Sequence, residues 1–296
     1  MTIDAKAPVR PLPRAAHHAP MRWAAGAACL AALQGAAWAQ PETTDPRWEL
    51  GVVAVGVSQQ AWPGAAARVQ RALAVPYAFY RGPVLRVDRD TVGLRAVRTP
   101  DFELDVGFSG AFGSNAKDIP ARRGMPDLGT LVEFGPRGTW QLGRSGSGSG
   151  SDTRWQFALP LRGVFDVDAR GQWRGFTLEP ELQARHEVPG GWRLTGSASV
   201  LLGNARINET IYGVAPVWAT AARPAWEGRP GLVAWRLGFS ASRPMGPDWR
   251  IFGFARLDDV SGAANAGSPL VQQRRGVTAG LGLQWIFLRS SQAGSP

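Results

Sequence analysis

From about residue 48 to residue 287 the chain returns again and again to one pattern, runs of roughly ten residues in which apolar and polar side chains alternate. A period of two puts successive side chains on opposite faces of an extended strand. In Asp101–Phe112 the even positions are Phe102, Leu104, Val106, Phe108, Gly110 and Phe112, while Asp101, Glu103, Asp105 and Ser109 take the other face. Val132–Leu142 sets Val132, Phe134, Trp140 and Leu142 against Glu133, Arg137, Thr139 and Gln141. Arg154–Phe165 sets Trp155, Phe157, Leu159, Leu161 and Phe165 against Arg154, Gln156 and Arg162. Trp192–Leu202, Val233–Ala241 and Val277–Phe287 follow the same rule. Nothing after residue 47 sustains a helical period or offers the ~18 apolar residues of a helical span.

Alternation alone also suits a soluble sandwich of two sheets. Strand length, aromatic placement and ionic content favour a membrane barrel. The runs match the ~9–11 residues of a tilted membrane strand. Tryptophans gather near strand ends, as in an interfacial girdle. The polar face carries ions of both signs, as a polar lumen would, and the lumen-facing charges expected are Glu103, Asp105, Glu133, Arg137, Arg154, Arg162, Glu179, Glu181, Arg193 and Arg236. The expected fold is all-β, a transmembrane antiparallel β-barrel of about twelve strands, in a range of ~10–14. They fall at about 48–58, 72–80, 84–89, 91–98, 101–112, 128–142, 153–165, 173–186, 191–203, 232–243, 248–259 and 275–287. With both termini in the periplasm, the long connections 59–71, 113–127, 204–231 and 260–274 all lie outside. The short turns at Val188-Pro189-Gly190 and Pro244-Met245-Gly246-Pro247 lie inside, together with a longer low-complexity turn, Ser145–Ser151.

The N-terminus fits export. From Met21, MRWAAGAACLAALQGAAWAQ puts Arg22 ahead of an apolar run that ends in Ala37-Trp38-Ala39, an A-x-A cleavage site. Residues 1–39 are expected to be a cleaved signal peptide, 40–287 the barrel and 288–296 a C-terminal tail. The stretch before Met21 is either a long basic n-region or sequence upstream of the true start, and both readings stay open. Cys29 is the single cysteine; Gly26-Ala27-Ala28 ahead of it departs from a lipoprotein pattern, so no lipid anchor is expected. The mature chain then has no disulfide framework. The formal charge of +10 is mostly Arg spread along strands. An exported chain meets no cytoplasmic nucleic acid, so the expected partner is the lipid bilayer.

Gly282-Leu283-Gln284-Trp285-Ile286-Phe287 resembles the closing-strand signal of outer-membrane proteins, with Gly282, Trp285 and Phe287 as its marks and the tail Leu288–Pro296 following it. The whole stretch from Trp48 to Phe287 resembles the MipA/OmpV family. The landmarks are VPYAFYRGPVLRVDRD (75–90), FELDVGFSGAFGS (102–114), ARRGMPDLGTLVEFGP (121–136), NETIYGV (208–214), RPAWEG (223–228) and SPLV (268–271). Around Trp62-Pro63-Gly64 the chain departs from the family's usual Tyr- and Ser-containing segment. The resemblance implies an outer-membrane scaffold that holds a murein-cleaving lytic transglycosylase near a murein synthase of the penicillin-binding class. The alternatives are a small-solute pore lined by the Arg and Glu face, and a surface adhesin or receptor using the outer loops, 204–231 with Trp218 and Trp226 above all.

Catalytic constellations are scarce. His186 is the one histidine after residue 39, beside Glu187 at a strand end, where a solvated His is ordinary. One His and no Cys leave no zinc set. The acids Glu103, Asp105, Glu133, Glu179 and Glu181 share their face with arginines, and mutual neutralisation accounts for both. Asp258-Asp259 lacks the spacing of a calcium loop, and no phosphate-loop spacing occurs. No catalytic residue, cofactor or metal is expected, and the chain is read as no enzyme.

Overall fold

The alternating runs become strands. The computed structural model describes residues 46–291 apart from 82–84, 88–91, 95–96, 112, 115 and 146–151. In chain order they are β1 (Trp48–Gln60), β2 (Arg68–Arg81), β3 (Leu85–Val87), β4 (Val92–Leu94), β5 (Val97–Arg98), β6 (Phe102–Ala111), β7 (Leu131–Ser145) and β8 (Thr153–Asp166). They continue as β9 (Gln172–Leu178), β10 (Glu181–Val188), β11 (Trp192–Gly203), β12 (Gly231–Pro244), β13 (Trp249–Asp259) and β14 (Arg275–Arg289). A helix, α1 (Ala205–Tyr212), follows β11. The expected signal peptide 1–39, the segment 40–45, the Gly/Ser turn 146–151 and the end of the tail, 292–296, lie outside the described residues.

All of these strands belong to one sheet, ordered β4-β3-β2-β1-β14-β13-β12-β11-β10-β8-β7-β6-β5, with β9 pairing β8 and β11. The first and last long strands pair antiparallel, Glu49 opposite Arg289 through Ser58 opposite Ala279. The two ends of the order, β4 and β5, are consecutive in the chain. A sheet without free edges is what a hydrocarbon medium demands, since unpaired N–H and C=O groups have no water there. The sheet closes on itself as an antiparallel β-barrel. The expected strand 173–186 is broken in two at Glu179-Pro180, and the expected strand 91–98 likewise forms β4 and β5. Proline has no N–H to give the ladder, yet the wall stays paired at the break, because Glu179 N–H donates to Pro160 O and Val200 N–H to Pro180 O. Taking each broken pair as one wall element gives the expected ring of about twelve.

Burial alternates along the walls. On β8 the buried positions Gln156, Ala158, Arg162 and Val164 lie between exposed or half-buried Trp155, Phe157, Leu161 and Phe165. Leu237, Phe239 and Leu281 stand out from the wall. Exposed Trp48, Trp155, Trp192, Trp249 and Trp285 sit toward the end that carries the chain termini and the short turns. By the rule for bacterial barrels, that end is the one expected to face the periplasm.

The inner face is not polar all round. Val53, Val55 and Val57 of β1, Tyr77 of β2 and Phe252 of β13 are buried, with Leu73, Val75, Phe254 and Ile286 packed against them. Glycines make the room. A Cβ at Gly282 would run into the ring of Phe252, and one at Gly280 into that of Phe254. One half of the interior, along β13, β14, β1 and β2, is therefore an apolar core.

Candidate functional site: the capped lumen

The four long connections cover one end of the barrel by folding onto one another. After β1, Trp62 is 3 % exposed and its indole N–H donates to Leu270 O, in the loop before β14, at 3.0 Å. Tyr212, the last residue of α1, is 1 % exposed; its hydroxyl donates to Pro63 O at 3.0 Å and its carbonyl accepts from Ser268 Oγ at 2.8 Å. The loop between β6 and β7 joins through Arg122, which donates to Ile211 O at 3.1 Å and lies 5.6 Å from the centre of the Trp62 ring. Arg223 donates to Ala121 O, Arg123 O and Trp218 O at 3.0, 3.1 and 2.7 Å. Trp226 Nε1 donates to Asn265 Oδ1 at 3.2 Å. Helix α1 starts where it does because Asn204 caps it, its Oδ1 accepting from Ile207 N–H, a preferred N-cap role. The same oxygen accepts from Phe176 N–H and ties the helix to β9.

The apolar core of the cap runs without a break into the apolar half of the lumen: Trp62, Ile119, Met125, Leu128, Tyr212, Val214 and Leu270 belong to one cluster with Val53, Val55 and Phe252. Burial shifts the titration of two cap residues. It lowers Arg122 to a pKa of about 10, helped by the guanidinium of Arg223 and opposed by Asp127. It raises Tyr212 well above the ordinary tyrosine value, with Arg236 opposing and Asp258 adding to the rise.

Beneath the cap, charges of alternating sign cross the lumen from β7 to the end of β13. Glu133 meets Arg162 at 3.8 Å, Arg162 meets Glu179 at 3.4 Å, and Glu179 meets Arg236 at 2.9 Å. Arg236 meets Asp258 at 3.0 Å, and Asp258 meets Arg256 at 3.1 Å. Thr177 Oγ1 donates to Glu133 and Ser199 Oγ to Glu179, so acceptor sites the arginines leave over are also used. Charges this far from bulk water persist because each has a partner. The Glu179-Pro180 break places Glu179 between Arg162 and Arg236.

Of the expected lumen charges, Glu133, Arg137, Arg162, Glu179, Glu181 and Arg236 line one cavity of about 180 Å³ whose roof includes Gln60 and Trp62. Asp105 lies directly across the β6–β7 ladder from Arg137. Glu103 lies on the same face of β6, opposite Thr139. Arg154 stands nearer the periplasmic end, as does Arg193, which pairs with Glu187 at 3.4 Å. Gly282, Trp285 and Phe287 stand on β14; Trp285 stacks on Trp249 at 5.5 Å and touches Phe287 at 5.6 Å. Sequence reasoning missed Asp258 and Arg256. Asp258 and Asp259 form no oxygen cluster: Asp258 faces Arg236 and Arg256, whereas Asp259 pairs with Arg275. The alternation Arg250, Phe252, Phe254, Arg256, Asp258 is the signal that could have placed Asp258 inside. His186 bonds Thr153 through Nδ1 at 2.9 Å. No group of three His, Cys, Asp or Glu suited to a metal occurs among the described residues.

A family model described as MltA-interacting protein MipA matches residues 50–287. The chain belongs to the MipA family. It is located in the outer membrane. Four of the six segments that carry the family resemblance meet in the cap, contributing Arg122, Tyr212, Arg223 with Trp226, and Ser268. No curated protein matches this MipA-family chain in sequence. Among solved structures it is similar to an outer membrane channel from Pseudomonas putida, at 11% identity over 84% of this chain and 100% of that one, TM-score 0.44. It is similar also to the NanC porin, at 10% identity over 79% and 98%, TM-score 0.36. A third is outer membrane phospholipase A from Escherichia coli, at 11% identity over 82% and 94%, TM-score 0.34.

Proposed function

We propose that this barrel is a scaffold of the cell envelope. It holds a murein-cleaving lytic transglycosylase close to a murein synthase of the penicillin-binding class, and itself catalyses nothing. The observation that carries this reading is the obstruction of the lumen. The cap of Trp62, Arg122, Tyr212 and Leu270 closes the outer end, and the run of charges from Glu133 to Asp258 crosses the interior below it. A barrel so filled suits a protein whose working surface lies at its periplasmic rim, where murein enzymes operate. The family's description, which names an interaction with MltA, supports the same direction.

Co-purification from membranes in mild detergent, with planar-bilayer recording on the same preparation, tests it. The expected result is recovery of a lytic transglycosylase together with little conductance. Large stable conductance altered by Arg137→Ala, with no murein enzyme recovered, establishes the small-solute pore in its place.

A further inference from the structure

At the periplasmic end of the lumen three arginines stand in register on adjacent wall strands. Arg144 of β7 is paired with Arg154 of β8, and Arg154 in turn with Arg185 of β10. Next to this row, toward the lumen centre, lies a second row in register: Gln141, Gln156 and Gln183. Gln156 Nε2 donates to Gln141 Oε1 at 2.7 Å, and Arg185 Nη2 reaches Gln183 Oε1 at 3.4 Å. Gln156 and Gln183 are buried on the inner face, and Trp155 between Arg154 and Gln156 is exposed on the outer one. The arginine row therefore faces the lumen and not the lipid.

Like charges directly opposite one another across a ladder destabilise it. Arg144 and Arg154 make no ion pair among the described residues, and the next acid along β10, Glu187, is engaged by Arg193 at 3.4 Å. We propose that the row Arg144–Arg154–Arg185, backed by the glutamine row, binds an acidic, extended segment of a periplasmic protein that enters the barrel mouth. Neighbouring strands are ~4.8 Å apart, so the three guanidinium stems span roughly 10 Å. Alternate carboxylates on an extended chain are roughly 7 Å apart, and one such pair fits within the row. A small anion covers a single gap between two arginines. A lipid phosphate lies outside the wall, on the wrong face. The identity of the protein carrying the segment rests on the scaffold reading; the site itself does not.

The test uses the purified full-length protein in detergent micelles and a fluorescein-labelled hexaglutamate peptide, read by anisotropy. Saturable binding is expected, weakened by added salt and roughly tenfold weaker in Arg144→Gln/Arg154→Gln. Arg243→Gln, whose guanidinium lies over Trp192, is expected to bind as the unaltered protein does, and labelled hexalysine not to bind. Heat-dependent migration on gels verifies that each variant is a folded barrel. Absence of saturable binding, equal affinity in the double variant, or inorganic sulfate bound as tightly as the peptide overturns the proposal. Co-purification separates it from the scaffold reading. A transglycosylase recovered while hexaglutamate shows no saturable binding sinks this site and leaves the scaffold standing; hexaglutamate binding with no enzyme recovered does the reverse.

Discussion

The guanidinium of Arg236 on β12 reaches the carboxylate of Glu179, in the break between β9 and β10, with Nη1 2.9 Å from Oε1, although β11 lies between those strands in the sheet. The reach is open because β11 presents only Ser199 there, itself donating to Glu179. Removing one partner of a buried pair leaves the other charge without compensation. Arg236→Met is therefore expected to lower stability by ~3–5 kcal/mol, and more than Glu179→Gln, which keeps an acceptor. Adding Glu179→Gln to Arg236→Met is expected to restore part of the loss, because Arg162 then keeps Glu133 and Asp258 keeps Arg256. Denaturant unfolding in micelles measures all three variants; a double variant no better than Arg236→Met contradicts the account.

Tyr212 links the cap to alkaline pH. Its folded pKa lies above the unfolded value of ~10, so the folded chain holds this proton more tightly. The contribution is complete below pH ~10 and is lost as the pH rises above it, because the unfolded tyrosine ionises first. Protease cleavage in the outer loops should begin to rise above that pH. Tyr212→Phe should flatten the rise, while loosening the cap at neutral pH by ~1 kcal/mol through loss of the bond to Pro63 O. An unchanged alkaline profile in the variant assigns the opening to another group.

Outward and inward positions should differ sharply in what they tolerate. Leu281 is 73 % exposed on the outer wall, whereas its neighbour on the inner side, Thr278, is buried. Leu281→Arg is expected to cost ~2–4 kcal/mol if it lies near the membrane midplane, and Thr278→Ser far less. Folding yield into lipid vesicles reads the difference, and equal yields would reverse the facing.

The strands were legible because a wall between lipid and water forces a period of two, and walls expected at 232–243 and 248–259 appear within a residue or two as β12 and β13. The apolar half of the lumen was not legible. In WELGVVAVGV of β1 both faces are apolar, so alternation cannot say that Val53, Val55 and Val57 point inward. The cap was hidden for a different reason. Trp62, Arg122, Tyr212 and Leu270 sit in connections with no period at all, and they meet only once the ring has brought the four loops to the same end. Among the charges, the break at Glu179-Pro180 mattered more than any pattern, since it sets which arginines Glu179 meets.

The apolar inner half lies along the seam where β1 meets β14. Joining the first strand to the last is thus the event that drives water off Val53, Val55, Phe252 and Ile286. An open sheet would show these side chains to solvent on one face and its lipid-facing residues on the other. Such a half-made cylinder is greasy on both sides, and escort until the ends meet is a requirement of its assembly. The cap completes only with the last hairpin, because Leu270 precedes β14 and accepts the bond from Trp62. Synthesis from the N-terminus leaves Trp62 waiting for almost the entire chain, so a truncation before the final strand forfeits the seam and the lid together.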